Sequence, residues 1–306
     1  MQTKIKRNGL MIGAALTLLS TFSARAAVTI PNEYRTGGFA MGCQAWSFNH
    51  FTAFEAIEKT AAAGGKVIEF YPDQKFSAED GDLKLNQNLP DDKIQKLKDK
   101  LAKHHVMAVN YGVVGLGTNE AEDRKVFEFA KKMGMVAVTS EPDPNAMDLL
   151  ERLVKEYDIK LAIHDHPKRA NDPNYKFWDP NYVLSLVKNR DPRMGSCADT
   201  GHWVRSGVKP IDALRILQGR IISSHLKDLN VFSPDGHDMP YGEGISDVPA
   251  ILNELKRQNF QGNISVEYEY NMENSLPEIS QCIGFVRGYT AFNPGPYQRV
   301  GANVGF

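Results

Sequence analysis

Short apolar runs alternate with amphipathic stretches along most of the chain. The runs are rich in β-branched or small apolar residues, and most are bounded by Gly, Pro, Asp or Asn, which is typical of buried β-strands. They lie at residues 39–48, 66–71, 106–114, 135–140, 160–164, 194–199, 221–225 and 263–267. The pattern therefore predicts eight strands.

Between these runs, apolar residues recur at helical spacing. The spacing is clearest in four segments, where apolar residues stand three or four positions apart. These predicted helices cover residues 93–104, 122–133, 147–157 and 248–255. Asn145 and Ser246 are the residues expected to cap the last two helices at their N-termini.

Strands that alternate with helices predict a parallel sheet, either closed into a barrel or open and doubly wound. Closure is favoured because the strands number eight and because polar residues follow strands along the whole chain, not at one switch point. No Pro- or Gly-rich boundary divides residues 27–292, so we predict a single-domain (β/α)8 TIM barrel there. Residues 293–306 are rich in Gly and Pro and are expected to form a tail over the surface.

Residues 1–26 have the three parts of a secretory signal peptide. Lys4, Lys6 and Arg7 precede a short apolar core, and Ala-Arg-Ala at 24–26 fits the small-x-small cleavage rule. The core is shorter than the roughly 20 residues that span a bilayer, and an uncleaved anchor is the alternative. We therefore expect a periplasmic or secreted protein with no stable membrane insertion after cleavage.

The charge balance argues against a nucleic-acid partner. The chain has 36 basic and 37 acidic residues, and four of the basic ones lie in the signal segment, which leaves a net charge of −5 after cleavage. A mildly acidic protein lacks the basic surface that binds a phosphate backbone. The odd number of cysteines (Cys43, Cys197 and Cys282) indicates buried thiols rather than a disulfide framework.

Ionisable residues stand at the ends of six of the eight predicted strands, where a parallel barrel gathers its functional groups. Burying so many requires a neutralising partner, and mixed carboxylate and imidazole ligands suit Mn²⁺, Zn²⁺, Co²⁺ or Fe²⁺. In the order of the strands, these ionisable residues are Glu69, Glu141, His164 with His166, Asp199 with His202, His225 with Lys227, and Glu267 with Glu269.

Four motifs resemble those of the xylose isomerase-like TIM barrel family, which includes sugar isomerases, ketose epimerases, inosose dehydratases and endonuclease-type repair enzymes. They are Asp-Thr-Gly-His at 199–202, His-Leu-Lys-Asp at 225–228, Gly-Glu-Gly at 242–244 and the segment ending at Glu267. The resemblance implies a divalent metal, Mn²⁺ foremost, held by Asp199, His225 and Glu267. This chain has His164 where the family commonly has Glu. Glu141 is therefore the expected replacement ligand, with His164 or His166 as the competitor.

The resemblance also implies that a proton is abstracted next to the carbonyl of a hydroxy-ketone, giving an enediolate. Glu267 and His166 are the candidate bases, and His202 and Lys227 are expected to support substrate hydroxyls or the developing oxyanion. The other substrate-binding candidates are His164, Glu69, Glu269, Trp46 and Trp203. The tryptophans offer flat faces for a sugar ring, with loop packing as an equal alternative.

The enediolate has two fates. Reprotonation gives isomerisation or epimerisation, whereas loss of a β-substituent gives dehydration or cleavage of a keto-glycoside. We expect a metal-dependent isomerase or epimerase of a non-phosphorylated sugar, because export separates the protein from cytoplasmic sugar phosphates. The alternatives are a lyase or hydrolase of 3-keto-glycosides, a sugar dehydratase and a non-catalytic carbohydrate-binding protein. The expected partner is a small carbohydrate, and oligomerisation is left open.

Overall fold

The computed structural model describes residues 29–293, and within them eight parallel strands form a closed barrel. The strands are β1 (Ala40–Gln44), β2 (Val67–Phe70), β3 (Met107–Tyr111), β4 (Ala137–Ser140), β5 (Lys160–His164), β6 (Met194–Asp199), β7 (Ile221–Leu226) and β8 (Asn263–Val266). Each strand pairs with its sequence neighbours among them, and β1 pairs with β8. The predicted (β/α)8 barrel is confirmed. The signal segment and all but the first residue of the tail lie outside the described residues.

Helices surround the barrel. They are α1 (Ala53–Ala62), α2 (Asp91–Lys103), α3 (Glu120–Met133), α4 (Met147–Tyr157), α5 (Pro180–Val187), α6 (Thr200–Arg205), α7 (Pro210–Ile216), α8 (Val248–Arg257) and α9 (Leu276–Phe292). The four helices predicted from spacing are all present, as α2, α3, α4 and α8. Across residues 29–293, no helix combines the length and the apolar character needed to cross a bilayer.

The two predicted helix caps are wrong by one or two positions. Asn145 lies within a short 3₁₀ turn ahead of α4, and Asp143 caps that turn by accepting a hydrogen bond from the Asn145 amide at 2.8 Å. Asp247, not Ser246, caps α8 and accepts from the Ala250 amide at 3.2 Å. Apolar spacing marks a helix but does not choose between adjacent polar residues. In both places a carboxylate also gains from the positive end of the helix.

The main apolar core lies between the outer faces of the strands and the helices, and a set of buried polar side chains lies inside the barrel. Asn110 on β3 donates across the barrel to Ser223 on β7 at 3.4 Å. Thr139 on β4 and Ser265 on β8 both donate to Glu69 on β2. These five side chains are fully buried, so each needs its partner to offset the loss of water. The polar interior forms the floor of the site described next.

Candidate metal centre and active site

Four ligand atoms meet where the C-terminal ends of β5 to β8 converge. They all lie within 4.8 Å of one another and belong to His164, Asp199, His225 and Glu267. His225 Nδ1 lies 3.1 Å from His164 Nε2 and 3.3 Å from Glu267 Oε2. Asp199 Oδ2 lies 3.8 Å from His164 Nε2. All four side chains are buried, so their charges interact with little screening by water.

Asp199 is oriented by the helix that follows it. Its Oδ1 accepts a hydrogen bond from the His202 backbone amide at 2.8 Å and caps α6. Its own amide donates to Asp165 Oδ1 at 2.9 Å. Gly201 permits this tight turn, because a Cβ there would lie 2.7 Å from Lys227 Cβ. One oxygen of Asp199 is thus held by the backbone, and Oδ2 is left for the centre.

His225 is oriented from below by Glu69, which is fully buried inside the barrel. Glu69 Oε2 lies 3.0 Å from His225 Nε2, and a carboxylate only accepts hydrogen bonds, so Nε2 carries a proton. Thr139 at 2.8 Å and Ser265 at 3.3 Å donate to the same carboxylate and hold it still. His225 Nδ1 is therefore the ring nitrogen that faces the centre. Glu69, which the sequence predicts as a substrate-binding residue, is buried and is not among the residues that line the pocket described below.

Two buried polar atoms of the residues in this centre have no hydrogen-bond partner. Asp199 Oδ2 is buried and accepts no hydrogen bond, although the Lys227 ammonium lies 3.3 Å away. His164 Nδ1 is also buried without a partner. An unpaired buried polar atom costs roughly 1–3 kcal/mol. Two imidazoles and two carboxylates are ligands for Zn²⁺, Co²⁺, Fe²⁺ or Mn²⁺, so these residues fit a divalent cation.

Lys227 supplies the chain's own positive charge beside the centre. Its buried Nζ lies 2.9 Å from Glu267 Oε2 and 2.5 Å from Glu269 Oε2, in addition to its contact with Asp199. Burial acts to lower the pKa of Lys227, but the three carboxylates outweigh burial and raise the pKa. Burial likewise acts to raise the pKa of Glu267, but Lys227 and His225 outweigh it and lower the pKa. Lys227 is therefore a charged hydrogen-bond donor and Glu267 an ionised carboxylate.

Glu141 lies beside the centre, and its carboxylate accepts hydrogen bonds from residues outside the four-atom group. Glu141 Oε1 accepts hydrogen bonds from His166 Nδ1 at 2.7 Å, from the His166 amide at 3.1 Å and from the Tyr175 hydroxyl. Glu141 forms a second group of ligand atoms with His164 and His166 but does not belong to the four-atom group. The structure brings His164, not Glu141, together with the three other predicted ligands.

A cavity of about 430 Å³ opens onto the centre. One wall is aromatic: Trp46 and Tyr71 lie edge to face, with ring centroids 5.0 Å apart, and Trp46 remains 39% exposed. The ionisable residues of the lining are His166, His202, Glu267 and Glu269. An apolar wall that faces a few convergent polar groups is typical of a small-molecule site.

The sequence model of the family described as "Xylose isomerase-like TIM barrel" matches residues 57–287. The chain belongs to the xylose isomerase-like TIM barrel family. An uncharacterised protein from Parabacteroides distasonis is 36% identical, with a TM-score of 0.67 over 82% of this chain and 99% of that one. A D-tagatose 3-epimerase-like protein is 18% identical, with a TM-score of 0.64 over 82% and 97%, and shares the fold.

The xylose isomerase-like chain also matches the inosose dehydratase of Clostridium tetani. The two are 28% identical over 153 residues, which are 43% of this chain and 47% of the relative. The chain therefore spans about half the length of that curated relative. The family resemblance inferred from the sequence motifs is confirmed by the family match.

His202 stands on the pocket wall of this xylose isomerase-like barrel in a defined tautomer. Arg205 Nη1 lies 3.1 Å from His202 Nδ1, and since a guanidinium only donates, Nδ1 accepts and the ring proton is on Nε2. His202 Nε2 lies 3.5 Å from Asp199 Oδ2. Burial and the charge of Lys227 lower the pKa of His202, which keeps the ring neutral. His202 is thus a neutral donor at the edge of the centre.

Trp203 does not reach the pocket. Its side chain is 1% exposed and packs in the main core, as the packing alternative for this tryptophan predicts. Successive residues of a helix turn by about 100°, and the turn that brings His202 to the pocket directs Trp203 away from it. Trp46, the other predicted tryptophan, does line the pocket.

Several residues around the site of this xylose isomerase-like protein are not predicted from the sequence. Tyr71 follows β2 directly, and its place at a strand end is a signal that could have found it. Arg205 and Asp238 had no local signal. Asp238 lies on a hairpin that pairs residues 228–229 with residues 238–239, and it accepts from the Glu269 amide at 2.9 Å. Only the folded chain brings that hairpin beside β8.

Proposed function

We propose that this protein is a divalent-metal-dependent enzyme that removes a proton beside the carbonyl of a non-phosphorylated sugar and returns it, as an isomerase or epimerase. One observation carries the proposal: His164, Asp199, His225 and Glu267 converge within 4.8 Å at the base of an open pocket. Membership of the xylose isomerase-like family and the likeness to an epimerase-like fold support it.

The four ligand residues and the residues that line the pocket have separate roles in the proposed reaction. A cation bound to the four residues would polarise a substrate carbonyl and its neighbouring hydroxyl. Lys227 holds Glu267 in its ionised form through a 2.9 Å contact. Glu269 pairs with Lys227 at 2.5 Å and faces the pocket, where its carboxylate can accept from a sugar hydroxyl.

His166 is the base that the site supports best. Glu267 belongs to the ligand group, whereas His166 stands on the pocket wall outside it. Glu141 accepts from His166 Nδ1 at 2.7 Å, which fixes the ring and leaves Nε2 to take a proton from substrate. Burial acts to lower the pKa of His166, but Glu141 outweighs it and raises the pKa. A carboxylate that orients an imidazole is a recurring arrangement in acid–base catalysis.

The pocket suits a neutral sugar better than a sugar phosphate. Within the described residues, its lining contains no Lys or Arg, and Glu267 and Glu269 contribute negative charge. Three cations lie nearby: Lys227 and Arg205 are both paired with Glu269, and Arg169 lies 4.0 Å from Glu141 Oε2. Phosphate recognition uses arginine or lysine donors, which this wall does not present. Trp46 and Tyr71 offer the apolar surface that packs against a sugar ring.

Solvent exchange tests the proposal. The metal-loaded protein in D₂O should transfer deuterium to the carbon beside the carbonyl of at least one member of a panel of 2-ketohexoses, keto-inositols and 3-keto-disaccharides. His166→Asn should lower the exchange rate by about 10²–10⁴-fold, because it removes the base, while the exposed control His105→Asn should exchange at the wild-type rate. Mass spectrometry of the recovered sugar measures both. Metal binding without exchange into any sugar would leave a binding protein as the better description.

A dehydratase is the second candidate, and His202 is the observation that favours it. Its ring proton on Nε2 lies near Asp199 at the pocket edge, where a neutral imidazole can donate a hydrogen bond to a departing hydroxyl. The partial match to an inosose dehydratase agrees with this chemistry. An eliminating enzyme would produce an α,β-unsaturated ketone, visible in the ultraviolet. His202→Asn should then suppress elimination yet keep deuterium exchange, whereas an epimerase would form no unsaturated product in either protein.

A further inference from the structure

A cysteine lies within the barrel next to the two histidines of the centre. Cys197 precedes Asp199 by two residues on β6, so the two side chains share the strand face that points into the barrel. Two residues of a parallel strand span about 6.6 Å, which puts Cys197 deeper in the barrel than Asp199. Cys197 pairs across the sheet with Ser223 and is fully buried.

The sulfur of Cys197 and one nitrogen each of His164 and His225 form a separate group of three ligand atoms, all within 4.8 Å of one another. Asp199 and Glu267 are not part of this group. His164 and His225 therefore belong to two groups of ligand atoms, one with two carboxylates and one with a sulfur. His164 Nδ1 is buried and has no hydrogen-bond partner.

We propose that His164, Cys197 and His225 form a deep thiolate position that makes this centre select Zn²⁺, Co²⁺ or Fe²⁺ over Mn²⁺ and Mg²⁺. The inference rests on the proposed metal centre and names its preferred ion. Thiolate and imidazole favour Zn²⁺ and its neighbours, whereas Mn²⁺ and Mg²⁺ favour carboxylate and water oxygens. On binding, the S–H bond breaks, a metal–sulfur bond forms and the proton leaves to solvent. This preference departs from Mn²⁺, the ion expected from the family resemblance.

The other two cysteines provide matched controls. Cys43 on β1 and Cys282 in α9 are also buried, but neither belongs to a group of ligand atoms in the described part of the chain. Serine keeps the size of cysteine and removes the soft sulfur. Cys43→Ser and Cys282→Ser therefore report what the loss of a buried thiol does by itself, and Cys197→Ser reports the loss of the proposed ligand.

Cobalt provides the decisive readout, because thiolate bound to Co²⁺ gives a near-ultraviolet charge-transfer band that nitrogen and oxygen ligands do not. The wild type, Cys43→Ser and Cys282→Ser should show the band, and Cys197→Ser should lose it while keeping the visible bands of bound Co²⁺. If Cys197→Ser does not fold by circular dichroism, retention of the band in both other variants assigns the sulfur by elimination. A band that survives in folded Cys197→Ser overturns the inference.

Competition between metals gives a second, independent readout. With equal Zn²⁺ and Mn²⁺, elemental mass spectrometry should find mostly zinc in the wild type, and Cys197→Ser should shift the zinc-to-manganese ratio by at least about 10-fold towards manganese. Bound Co²⁺ without a charge-transfer band in the wild type would overturn the thiolate position and leave the proposed metal centre standing. Failure of the wild type to bind any of these metals would overturn both.

Discussion

His164→Ala is expected to abolish stoichiometric metal binding, whereas Glu141→Gln is expected to retain it. His164 Nε2 lies 3.1 Å from His225 Nδ1 and 3.8 Å from Asp199 Oδ2, within the group of atoms that fits one cation. Glu141 Oε1 accepts from His166 and from the Tyr175 hydroxyl instead. Loss of a direct ligand should weaken affinity by more than the roughly 10–100-fold that follows loss of a supporting residue.

Elemental mass spectrometry of the purified variants after metal loading and dialysis measures this difference. His105→Asn, which removes an exposed imidazole elsewhere on the barrel, controls for adventitious binding to histidine. Glu141→Gln with as little metal as His164→Ala would make Glu141 a ligand. His164→Ala with full metal occupancy would show that the centre is built without it.

Lys227→Met is expected to lower the free energy of unfolding of the metal-free protein by about 3–5 kcal/mol. Methionine keeps much of the length of the side chain and removes the ammonium that lies within 3.3 Å of Asp199, Glu267 and Glu269. The carboxylates would then repel one another without a cation, in a region that excludes water. Removal of one partner from a buried ion pair is costly for this reason, even where the intact pair adds little.

Lys155→Met is the matched control for this prediction. Lys155 pairs with Glu151 at 2.8 Å on the surface of α4 and is 52% exposed, so its loss should change stability by less than about 1 kcal/mol. Urea titrations followed by circular dichroism measure both variants. Addition of the metal should recover part of the loss in Lys227→Met, because a bound cation again neutralises the carboxylates. Equal losses in the two lysine variants would contradict this account of the centre.

The fold was predictable because its signals are local. Strand runs such as 160–164 and 194–199 carry their own boundaries in neighbouring turn residues, and the structure keeps those bounds. Helix caps were harder, since Ser246 and Asp247 are both good caps and only the backbone conformation selects Asp247. Errors of this size move an element end without changing the architecture.

The site was predictable where position along a strand decides the role. Asp199, His225 and Glu267 lie within one residue of the ends of neighbouring strands, and parallel strands bring their ends to one rim. Glu69 and Glu141 also lie within one residue of a strand end, but other side chains already engage them. Glu69 contacts His225 inside the barrel, and Glu141 accepts hydrogen bonds from His166 and Tyr175. Strand position alone does not reveal these contacts.

Residues that enter the site from loops and helices have no recognisable signal in the sequence around them. Arg205 fixes the tautomer of His202 by donating to its Nδ1, and the Tyr175 hydroxyl donates a hydrogen bond to Glu141. Both are brought in by segments whose path depends on packing over the whole barrel. Their roles follow from donor and acceptor chemistry only once the distances are known.

The hydrogen-bonded interior of the barrel sets a trade-off for protein engineering. Replacing Glu69, Thr139, Ser265 and His225 together with apolar residues of similar volume would remove a whole set of buried polar partners, a change that is often neutral or stabilising. The same repacking would remove the imidazole that Glu69 holds at 3.0 Å. Selection of variants for resistance to heat alone would therefore favour the loss of the histidine that contacts the centre and of the carboxylate that orients it.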